Sequence, residues 1–169
     1  MKYSVWLLPS SEVSLSLQKV IEDLAVRYGG PSFEPHITVA SGIEGPLENV
    51  IHTVETIAEQ FQPFMLTSTE VSFSTTYFQS VLLRIQSGAS LLELNVALKE
   101  KAGVPNELYM PHISLMYGNH DMQTREQIAQ EVSLPPLDFP VEKMVIVPMV
   151  PDPKDWKHQA EIPFRLASQ

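Results

Sequence analysis

The chain opens on a short apolar run, Tyr3-Ser4-Val5-Trp6-Leu7-Leu8-Pro9, which predicts a first β-strand. The period then changes. Val13, Leu17, Val20, Ile21 and Leu24 recur at helical spacing after Ser10-Ser11-Glu12, and Gly29-Gly30-Pro31 stops the helix. Phe33 to Ala40 reads as a short β-segment ended by Ser41-Gly42. A second helix is expected from Leu47 to Gln60, with Val50, Ile51, Val54, Ile57 and Ala58 on one face. Strands over Phe64–Ser74 and Phe78–Gln86 follow, joined by Thr75-Thr76-Tyr77.

The pattern then recurs. A helix is predicted over Ser90–Ala102, a short strand over Met110–Gly118 and a helix over Thr124–Val132. Two closing strands are expected at Val141–Val147 and His158–Phe164, with the Pro- and Asp-rich stretch Pro148–Trp156 as a loop between them. Each half reads as helix, short strand, helix and two longer strands. The expected fold is α+β, with two pseudo-symmetric lobes in one domain spanning residues 1–169. Their antiparallel sheets should face a central cleft, with the helices outside.

Composition narrows the classes. The 169 residues are 44% hydrophobic and contain no cysteine, which excludes disulfides, zinc-thiolate sites and cysteine nucleophiles. No apolar run approaches the roughly 20 residues of a membrane helix, and the first strand is too short and lacks the cleavage site of a signal peptide. A cytoplasmic protein is expected. The net charge is −9, with no run of basic residues. That argues against gripping long nucleic acid, which needs clustered Lys and Arg. It leaves room for a small phosphorylated ligand.

One motif is duplicated. Pro35-His36-Ile37-Thr38-Val39 and Pro111-His112-Ile113-Ser114-Leu115 both read Pro-His-Ile-hydroxyl-aliphatic, in corresponding places of the two halves. A single His-x-Thr carries almost no information. Two matches over five consecutive positions carry much more. In a strand, residues i and i+2 share a face. His36 and Thr38 should therefore point one way, with Ile37 and Val39 toward a core, and the same holds for His112 and Ser114. Two imidazoles can take and give protons near neutrality, and two hydroxyls can hydrogen-bond phosphate oxygens as charge builds. His52, His120 and His158 lack the pattern. There is no His-Glu-x-x-His, Gly-rich phosphate loop or Gly-x-Ser-x-Gly.

The paired His-x-[Ser/Thr] motifs resemble those of the 2H phosphoesterase superfamily. Within it the chain looks most like the cyclic phosphodiesterases of ADP-ribose 1″,2″-cyclic phosphate and nucleoside 2′,3′-cyclic phosphates. The opening residues 3–9, both motifs and Tyr77-Phe78-Gln79-Ser80-Val81 carry the likeness, with Pro111 to Gly118 the most specific piece. The resemblance implies a two-lobed fold with catalytic His36 and His112 at the cleft base. It also implies Thr38 and Ser114 on phosphate, no metal and no covalent intermediate. No cofactor is called for.

Tyr117 is a further cleft candidate, able to reach phosphate or pack on a base, or else a strand-end aromatic. Trp6 either stacks on a nucleobase or belongs to the core. Tyr77 and Phe78 are rim candidates. The expected reaction is opening of a cyclic phosphate on a small nucleotide by a monomeric enzyme. One histidine activates water and the other protonates the leaving oxygen. His112 as base and His36 as acid is the working assignment, nearly interchangeable by pseudo-symmetry. The rivals are an RNA-end cyclic phosphodiesterase or 2′-5′ ligase-like enzyme, and a nucleotide-binding module without turnover.

Overall fold

The computed structural model describes residues 1–166. The strands are β1 (Lys2–Leu7), β2 (Ile37–Glu44), β3 (Phe64–Phe73), β4 (Val81–Ile85), β5 (His112–Met116), β6 (Asp138–Val141), β7 (Lys143–Pro148) and β8 (Ala160–Pro163). The helices are α1 (Ser11–Tyr28), α2 (Leu47–Ala58), α3 (Ala89–Ala102) and α4 (Met122–Glu131), with 3-10 turns at Tyr77–Gln79 and Pro153–Asp155. Helix ends follow local chemistry. Asp121 caps α4 by accepting from the Thr124 N–H at 2.9 Å, and Gly103 closes α3 in the left-handed conformation.

The expected α+β class is found. All eight strands form one antiparallel, curled half-barrel sheet in the order β6-β3-β4-β5-β2-β1-β7-β8. Its two halves, β6-β3-β4-β5 and β2-β1-β7-β8, join through the motif strands themselves, with Ile37 paired to Ile113. Neither half is a continuous piece of chain. β7 and β8 complete the half that holds β1 and β2, while β3 and β4 lie in the half that holds β5. The first helix of each repeat also crosses over: α1 packs on β5, and α3 on β2.

The helices cover the outer face, where Leu17, Ile21, Leu24, Val54, Leu94 and Leu98 meet Val5, Leu7, Ile37, Val39, Leu83 and Ile113 in one core. The other face holds Trp6, Val145 and Val147. Burial of apolar area on the helical side is the main stabilising contribution. It turns the alternate strand positions toward the concave side.

Boundaries differ from expectation in three informative places. The predicted strand Val141–Val147 is two strands, because the chain leaves β3's edge at Val141 and pairs with β8 from Lys143 and with β1 from Met144. Pro140 sits on the outermost strand β6, where a missing N–H is tolerated. Ser41-Gly42 does not end β2, which continues to Glu44. The register shifts so that Trp6 pairs with Thr38 but Val5 with Ala40, leaving Val39 as an extra bulged residue, and a second shift leaves Gly42 unpaired. Gly42 has φ 80°, a left-handed conformation that suits glycine. Third, Tyr77–Gln79 forms a turn, so β4 begins only at Val81.

The bulge at Val39 is held from outside the sheet. Asn95, buried on α3, donates from Nδ2 to the Val39 carbonyl at 2.6 Å. Asn95→Ala should lower unfolding free energy by about 1–3 kcal/mol, since it leaves that carbonyl buried without a partner. Urea denaturation of the purified variant measures this.

Candidate active site

The Ile37–Ile113 register fixes the site. In an antiparallel pair it sets His36 opposite Ser114 and Thr38 opposite His112. The four motif side chains therefore form a square on the concave face, with the histidines on one diagonal, about 7–8 Å apart at their backbones. The motif strands are immediate neighbours in one sheet, closer than two separate facing sheets would bring them.

Each imidazole is fixed in the same way. His36 Nδ1 lies 2.7 Å from the Glu34 carbonyl, and His112 Nδ1 lies 2.8 Å from the Met110 carbonyl. A carbonyl only accepts, so both Nδ1 atoms carry hydrogen, and Nε2 is the nitrogen of each ring left free to exchange a proton. This repeated contact to residue i−2 makes the two histidines equivalent in posture.

They are not equivalent in environment. His36 is 7% exposed. Its ring stacks on Trp6 with centroids 3.6 Å apart and planes 11° from parallel, and Trp156 stands perpendicular to it with centroids 6.1 Å apart. Burial, with a smaller contribution from the nearby His112, pushes its pKa down to about 4. His112 is more open. Burial and the Arg84 guanidinium, which faces it from β4, lower its pKa as well.

A cavity of about 630 Å³ contains all six residues predicted from sequence: Trp6, His36, Thr38, His112, Ser114 and Tyr117. Thr38 Oγ1 makes no hydrogen bond among the described residues, while Ser114 Oγ donates to the Phe78 carbonyl at 2.7 Å. Trp6 is buried, with one ring face taken by His36 rather than left free for a base. Tyr117 is buried and stacked on Phe33 at 3.8 Å. Burial raises its pKa well above the usual phenol range, so it stays a neutral donor. Of the rim candidates, Phe78 lines the cavity and Tyr77 packs on Tyr117.

Tyr117 reaches the cavity because of a second bulge. Met116 pairs with Val81 and Ser114 with Leu82, so Leu115 is extra. Strict alternation would turn Tyr117, five residues after His112, to the opposite face, and the bulge turns it back. Ser41, five residues after His36 and beyond the bulge at Val39, enters by the same parity change and hydrogen-bonds Ser4 at 2.8 Å.

Trp156 is absent from the sequence-based expectations, which assigned it only to a loop. It lines the cavity, meets Trp6 at 5.6 Å and Tyr117 at 6.0 Å, and donates from Nε1 to the Val150 carbonyl at 2.7 Å. A tryptophan in a polar loop was the available signal.

Behind the second motif, buried Arg125 donates to the carbonyls of His120, Ser74, Thr76 and Gly118 at 2.6–3.1 Å. It ties the Tyr77–Gln79 turn to the end of β5 without an ion pair among the described residues. His120 is part of this support, not of the cavity. Its ring sits 2.5 Å from where a Cβ on Gly118 would lie, which keeps that position glycine. His52 is exposed on α2. Among the described residues no group of three or more His, Asp or Glu is placed to hold a metal ion. No described helix is long and apolar enough to cross a membrane.

Residues 1–134 match the family of cyclic phosphodiesterase-like proteins. The chain belongs to that family. It is a phosphodiesterase of the 2H phosphoesterase type. It is 27% identical over 150 residues to a cyclic phosphodiesterase of Arabidopsis thaliana, covering 85% of this chain and 83% of the relative. Among solved structures, TT0787 of Thermus thermophilus superposes with TM-score 0.70 at 18% identity, over 99% of this chain and all of that one. LigT of E. coli, in its complex with 3′-AMP, superposes with TM-score 0.56 at 14% identity, over 97% and 95% of the two chains. These two likenesses concern the fold.

The depressed pKa of His36 has a measurable consequence. The unfolded chain takes up this proton near pH 6.5, the folded one only near 4. Stability from this group is present above 6.5 and is lost as pH falls toward 4, by about 3 kcal/mol at pH 4. His36→Phe keeps a ring on Trp6 but cannot titrate. The drop in unfolding free energy from pH 7 to pH 4 should be smaller in this variant by about that amount.

Proposed function

We propose that this enzyme hydrolyses cyclic phosphates on small nucleotides, nucleoside 2′,3′-cyclic phosphates or ADP-ribose 1″,2″-cyclic phosphate, with His36 and His112 as its proton-transfer residues. The observation that carries this reading is the square of side chains, with both Nδ1 atoms committed to backbone carbonyls. Two free Nε2 atoms on one diagonal suit an in-line displacement, in which water enters one side of phosphorus and the sugar oxygen leaves the other.

The different environments favour the opposite assignment of roles to the one expected from sequence. His36, buried and held neutral, takes the proton from water, and the more open His112 protonates the leaving oxygen. Anionic phosphate between them favours the charged form of His112. Thr38 offers a hydroxyl to a non-bridging oxygen as charge develops. Ser114 does so after releasing the Phe78 carbonyl, and Tyr117 remains a neutral donor beside it. Trp156, Phe78 and the accessible edge of Trp6 form the apolar wall for a base.

A small substrate is supported by the cavity's size and by a net charge of −9 with no basic track. LigT, a neighbour in fold, has been solved with ATP and with NADP+. Each hydrolysis converts a cyclic diester and water into a monoester. From a 2′,3′-cyclic nucleotide the expected product is the 2′-phosphate.

The test is turnover of a nucleoside 2′,3′-cyclic phosphate in excess chelator by wild type, His36→Ala and His112→Ala. Activity should survive chelation, and each variant should lose about 10²–10⁴ in kcat/KM. His112→Ala alone should recover when the leaving group is a nitrophenolate, which needs no proton. A cyclic-ended RNA of about ten residues should be the poorer substrate. An active His112→Ala protein on the natural diester would overturn the two-histidine reading.

A further inference from the structure

The carbonyl that orients His36 belongs to Glu34, and the Glu34 side chain is itself held. His158 Nε2 lies 2.7 Å from Glu34 Oε2, and His158 Nδ1 lies 3.1 Å from Glu161 Oε1. Lys143 pairs with Glu161 from the neighbouring strand β7. This chain of contacts runs from the edge of the sheet through Glu34 to the ring of His36. His158 also lies two residues after Trp156, whose indole borders both His36 and Tyr117.

The second motif has a counterpart. Met110 supplies the carbonyl for His112, and its sulfur accepts from Arg84 Nη1 at 2.9 Å. In both halves, the residue two before the histidine is gripped from another strand or its flank by a nitrogen donor. In the His112 half the grip uses a guanidinium. In the His36 half it uses an imidazole between two carboxylates.

We infer that His158 is a positioning residue for His36: by clamping Glu34 it fixes the Glu34 carbonyl, and through it the tautomer and orientation of the His36 ring. The inference rests on His36 being a proton-transfer residue. The clamp is strongest when His158 is protonated, because only then can both ring nitrogens donate. The charged groups facing it are Glu34 from the segment before β2, Glu161 from β8 and, through Glu161, Lys143 from β7. Burial opposes the charge on His158. The hydrogen bonds to Glu34 and Glu161 outweigh it and hold the pKa above 6.5. As pH rises through the His158 titration, one nitrogen loses its hydrogen and a carboxylate faces a lone pair. The hold on Glu34 then weakens.

The experiment is imidazole ¹⁵N NMR on the ligand-free protein, with steady-state kinetics, for wild type, His158→Gln, Glu34→Gln and the double variant. Both single variants should move the His36 nitrogens from the fixed Nδ1–H pattern toward a mixture of tautomers, leaving His112 unmoved. kcat should fall about tenfold with KM within about twofold, and the double variant should be no worse than the singles. Wild type should lose the same His36 signature as pH is raised through the His158 titration, whereas His158→Gln should show no such step. Unchanged His36 nitrogens and kcat in both single variants would overturn the clamp, as would an equal disturbance of His112. The NMR arm needs no turnover. Failure of wild type to hydrolyse a cyclic nucleotide would therefore count against the proposed function, and not against the clamp.

Discussion

The structure depends on one short strand pairing. β2 and β5 meet at Ile37 and Ile113, both fully buried against the helical layer. Because side chains alternate along a strand, burying these two isoleucines presents His36, Thr38, His112 and Ser114 together on the concave face. A one-residue slip of either strand would move its histidine into the core and its isoleucine into the cavity. The crossed packing of α1 on β5 and α3 on β2 opposes such a slip, because each helix holds the motif strand of the other repeat. Duplication thus yields one site rather than two.

Pseudo-symmetry ends at the environment. Both rings donate from Nδ1 to the carbonyl two residues back. Only His36 lies flat on a tryptophan and beneath a second one, and only His112 faces a guanidinium. Two histidines in one cleft also disfavour each other's charged form, so a difference in burial decides which remains neutral. In the proposed reaction that difference assigns the accepting and donating roles to otherwise matched residues.

The motif strands, both pairs of flanking helices and the histidine–hydroxyl pairs were legible because they rest on local periodicity. What was not legible depends on pairing between distant segments. Nothing in Val141-Glu142-Lys143 shows that the chain passes from one edge of the sheet to the other half at that point. The bulges at Val39 and Leu115 do not show in the local alternation, yet they bring Ser41 and Tyr117 into the cavity. Trp6, a base platform or core residue on its sequence, instead beds the His36 ring. His158 lacks the motif, and its partner Glu34 lies 124 residues away, so no local pattern singles it out. Trp156 lies in the expected loop, but its contacts with Trp6 and Tyr117 join segments far apart in sequence.

In the proposed reaction both Nε2 atoms address a single phosphate. A titration of ¹⁵N-imidazole-labelled protein with a non-hydrolysable nucleoside 2′,3′-cyclic phosphate analogue measures this. The Nε2 resonances of His36 and His112 should shift together and saturate at one equivalent, while both Nδ1 resonances stay that of a hydrogen-bonded N–H. A shift confined to one histidine, or two shifts saturating at different ligand concentrations, would contradict a site in which the two rings act on one phosphorus.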